Sequence, residues 1–139
     1  MQTDPNDVRR SWRLHWLGAV GDLTDLERQN SVWLDRAAVP HRGFSAFLEA
    51  YYDALTWSAG YEGALASGYV SRSEYAALEP FVRALDGYRT PRGDSRGDAG
   101  ILADPAWHHV IAAGRRAKAK LLPLIGDPDE RARLEGTAS

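Results

Sequence analysis

The chain has 139 residues, 44% hydrophobic and 26% charged, with a formal net charge of -2 and no cysteine. That size and balance belong to an ordinary globular domain able to bury a core without covalent staples, which excludes fibrous and disordered classes. Lack of cysteine removes disulfides, thiolate nucleophiles and Cys-ligated zinc or iron–sulfur centres, and the mild negative charge offers no field for polyanions, so neither nucleic acid nor an anionic membrane is expected as a partner.

Met1 to Arg13 lacks the basic stretch and apolar run of a secretory signal, and no apolar run approaches the roughly 20 residues needed to cross a bilayer. A soluble, cytoplasmic protein is expected, and a bacterial cytosol suits a chain without cysteine.

Asp4 followed by Pro5 predicts a helix start, because Asp accepts from orphan amides and Pro tolerates the first helical position. The helix is expected to reach about Val20, apolar on more than one side: Val8, Trp12, His15, Trp16 and Ala19 share a face, while Leu14 and Leu17 point elsewhere. Gly21 is expected to break or bend it, and Thr24 with Glu27 reads as a capping box for a second helix to about Arg36, with Leu26, Trp33 and Ala37 inward.

Phe44, Phe47, Leu48, Tyr51 and Leu55 carry the clearest helical period in the chain. A short helix over Tyr61 to Ala66 follows among Gly60, Gly63 and Gly68. Ser71 with Glu74 forms another capping box, opening a helix with Tyr75, Leu78, Val82 and Leu85 on one face and a kink at Pro80. A flexible Gly/Arg/Asp loop is expected at about 89–103. Asp104 with Pro105 restarts a helix that ends by Pro123, and Asp127 with Pro128 starts a short terminal one to Leu134. The expected fold is all-α: a single domain over 1–139, an irregular bundle of five or six helices, two of them short.

Catalytic spacings are missing. There is no His-Glu-x-x-His, Glu-x-x-His, Gly-x-Ser-x-Gly or phosphate-binding glycine loop. His15, His41, His108 and His109 are the only histidines, and a metal-dependent enzyme, the alternative reading, needs them to converge through folding. Glu49 and Asp53, one turn apart, read as a solvated face. The Arg-Gly-Asp triplets Arg92 to Asp94 and Arg96 to Asp98 read as a wet turn rather than an adhesion motif. Arg115, Arg116, Lys118 and Lys120 sit where cations complement a helix dipole.

Half of the aromatic residues fall between Phe44 and Tyr69. Phe44, Phe47 and Tyr51 follow the core period, but Trp57 leaves it, with Tyr52 and Tyr61 nearby, and aromatic residues with polar tips are enriched at binding hot spots. The expectation is therefore a non-enzymatic domain that binds another protein or itself as a homodimer, through Trp57, Tyr52 and Tyr61 helped by Leu14 and Leu17, with no cofactor. A bacterial immunity protein or antitoxin-like inhibitor fits the size, mild acidity and missing chemistry.

Overall fold

The computed structural model describes residues 4–35, 37, 39, 41–91 and 97–136. The irregular all-α bundle expected from the sequence is what forms, with eight α-helices and no strand among the described residues. Helix α1 (Pro5–Thr24) is capped by Asp4, whose side chain accepts from the Asn6 amide. It runs straight through Gly21 instead of breaking there. A Cβ on Gly21 would stand 2.6 Å from the Leu134 carbonyl oxygen, so the glycine serves the close approach of α1 to helix α8 (Pro128–Glu135).

Helix α2 (Leu26–Trp33) starts one residue later than the expected capping box allows. Its N-cap is Asp25, accepting from the Arg28 amide at 3.0 Å, while Thr24 ends α1 and its hydroxyl donates back to the Val20 carbonyl. An Asx side chain one position on outcompetes the threonine. Trp33 is buried, but Ala37 is exposed and lies beyond the helix.

Helix α3 (Phe44–Ser58) follows its period, burying Phe44, Phe47, Tyr51 and Ala54. Gly43 provides no capping side chain; the Phe44 amide donates instead to Asp98, 3.2 Å away. Ala59 ends α3 in the left-handed region at φ 60° and turns the chain into α4 (Gly60–Ala66). Helix α5 (Arg72–Gly87) opens with the full Ser71/Glu74 capping box and carries Pro80, which is exposed, without losing helical assignment. The 89–103 stretch contains one helix that polar, Gly-rich composition hides: α6 (Asp98–Ala103), which buries Ile101 and Leu102. Residues 92–96, with the first Arg-Gly-Asp triplet and Arg96 of the second, lie outside the described residues.

Helix α7 (Pro105–Leu121) packs most extensively on α5, and a 3-10 turn (Leu122–Leu124) leads to α8, which packs on α1. Asp104 and Asp127 cap α7 and α8 as Asp4 caps α1. The core joins Trp16, Leu17, Leu23, Trp33, Phe47, Tyr51, Phe81 and Trp107. Trp107 donates its indole N–H to buried Gln29 at 2.9 Å, whereas the Trp33 N–H has no partner among the described residues.

One polar cluster sits inside. Arg13, 3% exposed, donates Nε to both Glu130 oxygens at 3.0 and 3.1 Å, Nη1 and Nη2 to Glu74 at 2.9 and 2.7 Å, and Nη1 to the Tyr69 carbonyl at 2.7 Å. Three chain segments are thereby tied to α1. Burial opposes the Glu74 charge, but the Arg13 hydrogen bonds and the Ser71 amide outweigh it and hold the carboxyl below its ordinary range.

Candidate docking site at Trp57

Trp57 is 63% exposed, the largest aromatic surface on the described chain. Its place follows from the α3 period: core positions 47, 51 and 54 put residue 57 at the helix margin, over α1. Helices α1 and α3 are joined there by two side chains. Trp12 donates its indole N–H to the Ala54 carbonyl at 2.7 Å, and His15 donates Nε2–H to the Ala50 carbonyl at 2.8 Å. The His15 ring meets the Trp57 ring at 4.8 Å between centroids, inclined by 58°.

Beyond that pair lies a groove of about 480 Å³ lined by Asp7, Val8, Ser11, Trp12, Trp57 and Tyr69. Its floor is stiff. Trp12 stacks on Trp16 at 5.3 Å and meets the tilted Tyr69 ring at the same distance, and the Tyr69 backbone is held from behind by Arg13. Val8, 40% exposed, forms the lip opposite Trp57. Asp7 is the one charged residue among the described lining residues; Arg9, close by, is committed to the Gly68 carbonyl at 2.9 Å. Earlier in α3, exposed Asp53 and Glu49 precede Trp57 at one-turn spacing, beside Tyr52 rather than in the groove.

The residues expected to form one patch separate. Leu17 is fully buried and belongs to the core: it follows His15 by two positions, so it emerges on the other side of α1 from the groove. Leu14 is half-buried and does not line the groove. Tyr61 turns inward. Its hydroxyl pairs with that of Tyr51 at 2.8 Å and accepts from the Trp16 indole at 3.1 Å, and burial pushes its phenol up to about 12. Tyr52 is on the surface, but on the outer flank of α3, beside Ser45, Leu48, Glu49 and Asp53, with its hydroxyl donated to Asp86 at 2.7 Å. Val8, Trp12 and Tyr69 take the places given to Tyr52, Tyr61 and Leu17. Val8 and Trp12 share a helical face in the sequence; Tyr69 has no local signal, because α4 and the turn after it bring it back.

The histidines do not converge. His15 is held by Ala50, His41 lies 3.4 Å from Asp98, His108 bonds the Leu102 carbonyl at 2.6 Å and His109 is exposed on α7. Among the described residues no group of three His, Asp or Glu side chains is arranged to hold a metal ion. No described helix is long and apolar enough to cross a membrane. No protein-family model matches the chain, and no curated protein or solved structure matches it significantly.

Proposed function

We propose that the chain is a non-enzymatic protein-binding domain that docks its partner in the groove between Val8 and Trp57. The observation that carries this reading is Trp57 itself, a large ring left 63% exposed beside an apolar groove instead of being folded into the core. Rigid aromatic walls around a small apolar recess are the usual form of an energetic anchor, since such a recess excludes water once filled.

The charge pattern selects the occupant. Asp7 lines the groove as its one charged residue among the described lining residues, and the chain as a whole is acidic. A partner protein that inserts an apolar or aromatic side chain flanked by Lys or Arg meets both features, and opposite charge raises its encounter rate. An inhibitor that covers a basic partner, of the immunity or antitoxin-like kind in a bacterial cytoplasm, is the setting that fits.

The test is an untagged pull-down from source cells with wild-type protein and Trp57→Ala. Wild type is expected to retain a basic protein that Trp57→Ala loses, with both melting at nearly the same temperature because the ring is mostly in water. Equal capture by the two proteins removes this assignment. Capture of a second copy of the chain instead, seen as concentration-dependent sedimentation, makes the groove a homodimer surface.

A further inference from the structure

Across His15 from the Trp57 groove, the chain reverses its charge. A cleft of about 330 Å³ is lined by His15, Gly18, Ala19 and Asp22 of α1, with Arg28, Arg42, Ala50, Arg133 and Gly136 closing it. Three guanidinium groups from well-separated segments face one carboxylate, a formal local charge of +2 in a chain whose net charge is -2.

Among the described residues, one of the three cations is paired with a carboxylate. Arg28 Nε lies 2.8 Å from Asp22. Arg42 lies within the field of Asp22 and rests its guanidinium 5.3 Å from the Phe47 ring centroid, while Arg133 extends over Gly18, its Cδ and Nη1 each 4.0 Å from where a Cβ would stand. Neither Arg42 nor Arg133 forms an ion pair among the described residues. Asp25 stands at the edge near Gly136, where its Oδ1 accepts from the Arg28 amide and its charge adds to that of Asp22. Small residues at 18, 19, 50 and 136 keep the floor open. Burial pushes the Asp22 carboxyl up in spite of Arg28 and Arg42.

We propose that this cleft binds a phosphate dianion, carried by a small phosphorylated molecule, with Arg42 and Arg133 as its direct partners and Arg28, oriented by Asp22, as the third. A dianion answers both Arg42 and Arg133, which lack an ion pair among the described residues, whereas a single carboxylate leaves one of them unanswered. Guanidinium forks suit phosphate oxygens, which they meet in pairs of parallel hydrogen bonds. The cleft falls in the volume range of small-molecule sites, larger than the anion alone requires. This site is independent of protein docking at Trp57.

The test titrates the purified chain with inorganic phosphate and, separately, with glycerol 3-phosphate, at ionic strength held constant with chloride, followed by calorimetry and thermal midpoint. Saturable binding is expected for both, with the monoester the tighter if the natural ligand is an ester and the two equal if free phosphate is. Arg42→Gln and Arg133→Gln are each expected to weaken binding at least tenfold, with the ligand-free midpoint unchanged in Arg133→Gln, whose residue is exposed. Arg42→Lys, which keeps the charge but not the fork, is expected to fall between. Stabilisation no greater than that given by chloride, or unchanged affinity in both Gln variants, overturns the site.

Discussion

Arg13→Met tests the interior polar cluster that holds Tyr69 behind the Trp57 groove. The substitution removes the cation and leaves Glu74 and Glu130, each about 5% exposed, facing one another without a counter-ion. Breaking a buried ion pair in this way costs about 3–5 kcal/mol. Against a total stability of roughly 5–15 kcal/mol for a domain, that is a large share. With a urea slope of about 1–3 kcal/mol/M, the unfolding midpoint followed by tryptophan fluorescence is expected to fall by roughly 1–5 M.

The pH dependence supplies the sign. In wild type the Glu74 carboxyl is held below its unfolded value, so its contribution is complete above about pH 4.3 and lost only as pH falls through the depressed folded value. Without Arg13, burial of Glu74 is opposed by the Ser71 hydrogen bonds alone, so the Glu74 carboxyl rises and the folded variant binds protons more tightly than folded wild type as pH falls. The gap between the two proteins is therefore expected to narrow as pH falls. Adding Glu74→Gln and Glu130→Gln to the variant should recover more than half of the loss. A penalty below about 1 kcal/mol at pH 7, or a gap that stays constant with pH, refutes the buried-cluster reasoning.

Two further comparisons follow from the packing. Trp107→Phe is expected to cost more than Trp33→Phe by about 1–3 kcal/mol in chemical denaturation, because the first leaves the buried Gln29 oxygen unpaired while the Trp33 N–H has no partner to lose; equal costs would contradict the hydrogen-bond assignment. Gly114→Ala puts a methyl 2.5 Å from Thr24 Cγ2 and Gly21→Ala puts one 2.6 Å from the Leu134 oxygen, so each is expected to lower stability by about 1–3 kcal/mol, whereas Gly87→Ala, with open space around it, should be neutral or stabilising. Thermal melts of the three proteins check the order, and a stabilised Gly21→Ala would show that α1 and α8 are not in such close contact.

Local chemistry was legible in the chain, and long-range placement was not. The three Asp-Pro starts, at 4–5, 104–105 and 127–128, all became capped helices, and the Ser71/Glu74 box formed with both of its hydrogen bonds. Each of these depends on residues within four positions of one another. Gly21 misled because a mid-helix glycine carries the same letter whether it breaks a helix or admits a neighbouring backbone, and only the position of α8 decides between them. Helix α6 escaped because six residues hold too little period to stand out beside a Gly-rich run.

The candidate docking site was half legible for the same reason. Trp57 departs from the α3 core period, and that departure is visible in the sequence and kept in the fold. Its neighbours are set by which helix lies across it: α1 supplies Val8 and Trp12, while Tyr61, adjacent in sequence, is drawn inward by the hydroxyl of Tyr51. The basic cleft left no trace at all, since Arg28, Arg42 and Arg133 come from segments that meet only after α8 packs on α1.

The central claim, that the Trp57 groove anchors a partner protein, is tested most directly by the affinity of the purified partner for wild type and for Trp57→Ala, measured by calorimetry in the same buffer. Loss of about 2 kcal/mol or more, roughly a 30-fold rise in Kd, is the predicted result for an anchor residue. An unchanged Kd for a variant that folds normally would contradict the account.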